Sequence, residues 1–331
     1  MESVNVLVTG LTRPVEKEYL QQINAVSPKV KARDVSDLAR AERTGDSSAE
    51  KQFDALLAEA EVIFGFPPPK NLIARAPKLK LIQTPLAGAD HYLIPDIIES
   101  PVILTKAIGI HGTQASELVF ELMLMCAKQA QFCFRQKQEK QWQPFVPLLL
   151  RSKTVGIVGL GNIGTEVARL AKAFGMRVVA VRARPKVRSR YVDLVLPTKQ
   201  IRELLSQSDF VVLALPFTPE TAKLIGEAEL RAMRPTAYLI NIARGNIVDE
   251  EALVRALSES WIAGAGLDVF TTEPLPASSK LWDLANVIIT PHISGVREDY
   301  NIVATRLFCE NLGRYLGGKK LLYVVDKKRG Y

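Results

Sequence analysis

Apolar positions along the chain fall into two series of short β-like runs, each interleaved with helical stripes. The first series holds VNVLVTG, VKARDV, EVIFGF and LKLIQTPLAG. The second runs from TVGIVGL through DFVVLALP, TAYLINIARG and AGAGLDVF to NVIITPHI. Strands alternating with helices predict parallel, doubly wound sheets, because a parallel pair needs a crossover that covers one face. Two series predict two such α/β domains. Helical stripes at about Thr113–Gln138 and Glu298–Leu316 bracket the second series and mark the crossings between sheets. The expected domains are therefore 1–103 with 297–331, and 104–296 inserted between them. The Pro-rich FPPPK at 66–70 reads as a loop within the first domain.

The second series opens with the most specific signal. A β-rich run ends in Gly159-x-Gly161-x-x-Gly164, and Ile163, Val167, Leu170, Ala171 and Phe174 then recur at helical spacing. The first glycine permits the tight turn, the second admits a pyrophosphate against the backbone, and the third lets helix and strand pack. The new helix points unpaired N–H groups at the phosphates. Gly159, Gly161, Asn162, Ile163 and Gly164 form the expected dinucleotide cradle.

Val178–Val181 reads as the next strand, whose final residue meets the adenosine ribose. An acid there would accept from a free 2′-hydroxyl. This chain instead has Arg182, Arg184, Lys186, Arg188 and Arg190, with no acid before Asp193. Arginine grips phosphate bidentately, so Arg182 and Arg184 predict NADP(H) as the preferred cofactor, with NAD(H) still compatible. A solvated basic loop is the other reading of the same run.

Composition narrows the class. The 331 residues are 47% hydrophobic and 24% charged, the balance of a folded enzyme. No apolar run reaches transmembrane length and MESVNVLVTG carries no leader pattern, so no membrane partner is expected. Cys126, Cys133 and Cys309 are too scattered for a disulfide framework or a metal site, which fits a reducing, cytoplasmic setting. A net charge of +8 raises nucleic acid as a partner. The basic residues are dispersed among acids and no aromatic platform accompanies RPKVRSR, so an anionic small molecule is preferred.

Only three histidines can serve as acid or base: His91, His111 and His292. His292 closes the strand run NVIITP, where an open α/β sheet binds its ligands. Arg244 ends YLINIAR and Glu273 lies just beyond GLDVF. An anionic substrate needs a fixed cation, and a catalytic histidine benefits from a carboxylate that holds its ring. Taken singly, Arg244 and Glu273 also read as surface charges and His292 as a turn residue. His91, beside Asp90, reads as structural; His111 reads as a cap or packed residue, with a cleft-lining role as the alternative.

The strings GLGNIG, LINIARGNIVDEEAL, GAGLDVFTTEPLP and NVIITPHISG, in that order, closely resemble the D-isomer-specific 2-hydroxyacid dehydrogenases, and the resemblance spans nearly the whole chain. It implies a Rossmann dinucleotide-binding domain inserted into a flavodoxin-like substrate domain, acting as a homodimer through the nucleotide-binding domains. The apolar run SELVFELMLMCA is a candidate dimer contact and reads equally as core. The family's catalytic arginine, glutamate and histidine fall on Arg244, Glu273 and His292, and its carboxylate-binding backbone loop falls on Leu86, Ala87 and Gly88. Pro216, Thr221, Ile242, Asp268, His292 and Gly295 match positions around the cofactor, Asp268 near the nicotinamide carboxamide.

The implied reaction is reversible hydride transfer between NAD(P)H and a small 2-oxo acid, with His292 as acid/base, Glu273 as its partner and Arg244 as carboxylate anchor. Arg182 departs from the acid of many NAD-linked members. No regulatory domain follows the core, which favours a stand-alone glyoxylate or hydroxypyruvate reductase over a phosphoglycerate dehydrogenase. A formate dehydrogenase would carry glutamine at Glu273, and a methyltransferase has no use for the Arg–Glu–His set. The alternative to an enzyme is a dinucleotide-sensing binding protein of the corepressor type.

Overall fold

The computed structural model describes residues 3–11, 14–46, 49–183 and 189–330. The chain divides into two compact units, Met1–Ile110 with Val296–Tyr331, and His111–Gly295.

The first unit contains β1 (Val4–Gly10), β2 (Val30–Asp34), β3 (Val62–Gly65), β4 (Leu81–Gln83) and β5 (Ile103–Thr105). All pair in parallel, in the order β2-β1-β3-β4-β5. β3 and β4 are buried along their whole length, as strands covered by helices on both faces must be. The C-terminal helix Tyr300–Leu316 returns to this unit, where Phe308 stacks on Phe64 with ring centroids 4.3 Å apart. The strand order reverses between β1 and β3, leaving a crevice at their carboxyl ends.

β5 is absent from the expected series. It is a three-residue edge strand, too short to show a period. With it, Leu104, Ala107 and Ile110 join the core of this unit, which extends the first segment to 110 rather than 103.

The second unit contains β6 (Thr154–Val158), β7 (Arg177–Arg182), β8 (Leu194–Pro197), β9 (Phe210–Leu213), β10 (Tyr238–Asn241), β11 (Gly264–Leu267) and β12 (Val287–Ile289). Their order, β12-β11-β10-β9-β6-β7-β8, is the parallel dinucleotide-binding arrangement with one added strand. β8 is the second edge strand that the pattern of apolar residues does not reveal.

The stripe expected over Thr113–Gln138 is two helices, Gly112–Ala127 and Ala130–Glu139, divided where Gln129 takes φ +50°. Neither glycine nor proline marks the break. The first of these helices is apolar on most sides, and Leu118, Val119, Phe120, Leu122, Met123 and Cys126 lie in the unit's own core. Much of the run SELVFELMLMCA thus packs inside its own unit, while Glu117 and Glu121 are exposed and Leu124 and Met125 half-buried. Burial there pushes the Cys126 thiol up to about 12.

The chain passes between the units twice, at 110/111 and at 295/296. In the first unit, Arg297 Nη1 donates to the Ile110 carbonyl at 3.0 Å. In the second, a Cβ on Gly295 would stand 3.3 Å from the His111 ring. Among the described residues, no helix is long and apolar enough to cross a membrane.

Candidate active site

The turn after β6 is built as its glycines require. Gly159 adopts φ +101°, donates to the Val181 carbonyl at 3.1 Å, and has no room for a side chain: a Cβ would sit 2.5 Å from the Ala214 oxygen. Gly164 packs its helix directly on the Gly159 carbonyl. Gly161 differs, since a Cβ there would meet nothing within 4 Å. It caps helix Asn162–Ala173 without any side-chain hydrogen bond to the helix end. A side chain at Gly161 would fill the cradle from outside, and the uncapped N–H groups of Asn162 and Ile163 match an anion. The residues present fit a dinucleotide.

Arg182 closes β7, half-buried and in register with Pro197 of β8. Arg184, together with Lys186 and Arg188, lies outside the described residues. Pro216 and Thr221 share the loop after β9, where Thr221 Oγ1 donates to the Pro216 carbonyl at 2.9 Å and accepts from Thr218 N at 2.7 Å.

Arg244 is positioned by a side chain that the strings alone do not single out. Asn241, at the end of β10 and 1% exposed, accepts from Ala243 N at 3.0 Å and donates to the Arg244 carbonyl at 3.1 Å. The two bonds fold the segment after β10, including buried Ile242, into a fixed turn. Arg244 Nη1 also donates to the Ala243 carbonyl at 2.7 Å. A Cβ on Gly245 would lie 1.9 Å from the Phe270 carbonyl carbon, so only glycine lets the Arg244 turn rest on the backbone after β11.

Glu273 and His292 meet directly. Glu273 Oε2 lies 2.6 Å from His292 Nδ1, and Oε1 accepts from Phe270 N at 2.9 Å. With Nδ1 held by a carboxylate, Nε2 is the ring nitrogen left to exchange a proton with a ligand. The two side chains stay reachable, at 42% and 34% exposure.

His292 stands at φ +53°, a left-handed conformation that costs about 1–2 kcal/mol for a residue other than glycine. Asp268 supplies the compensation. Fully buried after β11, its carboxylate accepts from Thr290 Oγ1 at 2.6 Å, Ile293 N at 2.9 Å and Ser294 N at 2.9 Å. Hydrogen bonds to a charged group contribute about 1.5–3 kcal/mol each, which exceeds the backbone strain. The carboxylate expected beside the cofactor therefore has a second task, holding the loop that presents His292.

The second unit thus brings Arg244, Asp268, Glu273 and His292 to the carboxyl ends of three adjacent strands. His111 is buried at the start of helix Gly112–Ala127 with its ring against Gly295, as the packed reading expects. Leu86, Ala87 and Gly88 belong to the first unit, after β4. There Leu86 N already donates to Thr84 Oγ1 at 3.2 Å, so its amide is taken within the turn. The Ala87 and Gly88 amides donate to no protein group among the described residues.

The sequence model of the family described as "D-isomer specific 2-hydroxyacid dehydrogenase, NAD binding domain" matches residues 120–294. The glyoxylate reductase of Thermococcus gammatolerans is 37% identical over 262 residues, 76% of this chain and 78% of the relative. That of Pyrococcus horikoshii is 40% identical over 242 residues, 69% and 72% of the two chains. Among solved structures, a D-isomer specific 2-hydroxyacid dehydrogenase from Xanthobacter autotrophicus in complex with NADPH and MES aligns with a TM-score of 0.85. It is 29% identical and covers 100% of both chains. The NADPH-dependent glyoxylate/hydroxypyruvate reductase of Sinorhizobium meliloti, in complex with NADP and sulfate, gives 0.84 at 26% identity, covering 99% and 100%.

Proposed function

The chain belongs to the D-isomer specific 2-hydroxyacid dehydrogenase family, and from that membership we propose that it reduces small 2-oxo acids to D-2-hydroxy acids, with NADP(H) preferred over NAD(H). As a member it is a nicotinamide-nucleotide-dependent oxidoreductase. The observation that carries the narrower reading is the 2.6 Å contact of His292 Nδ1 with Glu273, on a loop whose neighbour presents Arg244.

A dinucleotide, when bound, supplies or accepts the hydride. Arg244 binds the substrate through its carboxylate and 2-oxo oxygen. His292 gives a proton from Nε2 to the substrate oxygen during reduction and takes it back during oxidation. Glu273 fixes the ring and pairs with its charged form. Asp268 keeps the His292 loop from relaxing.

NADP(H) preference is supported by Arg182 at the end of β7, and two similar structures hold NADPH or NADP. Glyoxylate and hydroxypyruvate are the first substrates to try, given the relatives. Family membership supports a homodimer. Its contact is better supported by the exposed Phe134, Trp142, Val146 and Leu149 than by the buried helix before them. Three free cysteines fit a cytoplasmic setting.

The test is absorbance-monitored oxidation of NADPH and NADH with glyoxylate, hydroxypyruvate, pyruvate and phenylpyruvate. Turnover faster with NADPH is expected. Turnover with NADH alone removes the 2′-phosphate reading but keeps the reaction. Nucleotide binding without turnover of any acid favours a dinucleotide sensor.

A further inference from the structure

We infer that Glu250, on the helix that follows the Arg244 turn, is a positioning residue that fixes Glu273 and through it the His292 ring. The inference rests on the proposed reduction, in which His292 is the acid, and concerns the second unit alone.

Burial holds the segment after β11 only as far as Phe270. Asp268, Val269 and Phe270 are 0%, 2% and 7% exposed, whereas Thr271, Thr272, Glu273 and Pro274 lie at the surface. Core packing therefore leaves the direction of the Glu273 carboxylate to hydrogen bonds. Two backbone amides of the segment find carboxylates. Phe270 N donates to Glu273 Oε1 at 2.9 Å, a bond local to the turn. Thr271 N donates to Glu250 Oε2 at 3.0 Å, across 21 residues of chain. The second bond fastens the turn to a helix of the unit.

The local sequence frees Glu250 for this bond. It is the first residue of helix Glu250–Ser258, and the preceding Asp249 caps that helix by accepting from Ala252 N at 3.2 Å. The half-buried Glu250 carboxylate is thus available to the neighbouring loop, and its seat at a helix N-terminus suits a negative charge. Toward the Arg244 turn the loop has no room to move. A Cβ on Gly245 would lie 2.1 Å from the Phe270 oxygen and 2.3 Å from Thr271 N. A cavity lined by Gly245, Glu250 and Phe270 measures only about 10 Å³, space for at most one water. The loop can yield toward solvent, and the bond to Glu250 opposes that movement. An ionised acceptor makes it stronger than a neutral amide bond.

The test is a double-mutant cycle on the full chain, reading kcat for glyoxylate reduction, Kd for NADPH by fluorescence titration, and Tm. Glu250→Ala should lower kcat about tenfold, with NADPH affinity changed by less than about twofold. Its Tm should fall by less than about 4 °C. Glu250→Gln, which keeps an acceptor facing Thr271 N, should restore kcat to within about threefold of wild type. In a Glu273→Ala background, where no carboxylate is left to position, adding Glu250→Ala should cost less than about twofold. Equal losses in the two backgrounds overturn the positioning role and leave reduction intact. So does full activity of Glu250→Ala, or a Glu250→Gln variant no better than Glu250→Ala. No turnover of glyoxylate, hydroxypyruvate, pyruvate or phenylpyruvate by wild type overturns the reaction itself, and the role of Glu250 with it.

Discussion

One Glu273 carboxylate serves two loops at once: Oε2 faces His292 Nδ1 at 2.6 Å, and Oε1 accepts the Phe270 amide at 2.9 Å. The second bond is what gives the first its direction. A carboxylate can accept at both oxygens, whereas an amide of the same shape can accept at only one.

Glu273→Gln should therefore cost more than a charge. Its oxygen would go to Phe270 N and its NH2 group would face Nδ1, which can no longer carry a proton. The ring is then restricted to its neutral form. We expect kcat for 2-oxo acid reduction to fall about 10²-fold, with NADPH affinity unchanged, by stopped-flow rates and fluorescence titration. His292→Ala should lose about 10²–10⁴-fold in kcat.

Asp268→Asn tests the loop behind the acid. One oxygen becomes a donor and faces Thr290, Ile293 or Ser294, all of which already donate. Because the site is fully buried, the mismatch should destabilise the protein by about 1–3 kcal/mol, seen as a lower Tm. Activity should fall further than stability alone accounts for, since His292 would be free to leave φ +53°.

Arg182→Ala addresses the cofactor. Removing a guanidinium from the end of β7 should raise the Kd for NADPH at least about tenfold and leave NADH within about twofold. Equal loss for both nucleotides would show a structural role.

Asp249 gives a pH-dependent expectation. Hydrogen bonds from Ala252 N, at the start of helix Glu250–Ser258, and then from Lys223 hold its carboxyl below the usual range. A depressed carboxyl stabilises the fold above its ordinary unfolded value, near about 3.9, and that contribution is lost as pH falls through the lower folded value. Asp249→Ala should cost about 1 kcal/mol near neutral pH, and the Tm gap to wild type should narrow below about pH 4.

Local chemistry and period made much of this molecule legible. The strand–glycine–helix run placed the cradle, and polar residues ending apolar runs placed Arg244, Glu273 and His292 at successive strand ends. What stayed hidden depends on partners distant in sequence. Asp268 looks like any acid after a strand until Ile293 and Ser294 arrive to claim it. Asn241 is one more polar residue until its amide spans the Arg244 turn. β5 and β8 are too short to show a period, and the helix break at Gln129 uses a residue that favours helices elsewhere. The bond from Leu86 N to Thr84 Oγ1 is likewise a detail of the turn that the string LAGAD does not announce.

The double crossing has a topological consequence. Within the first unit Ile110 and Arg297 are bonded to each other, and within the second His111 and Gly295 touch. The second unit is consequently a nearly closed loop of chain, and the stretch 111–295 is a cassette whose excision leaves a gap only a few residues wide in the first. A first unit sealed from 110 to 296 by a short linker, or a circularised second unit, would preserve every strand pairing of its own sheet. The two halves of this protein can in that sense be exchanged or rebuilt independently.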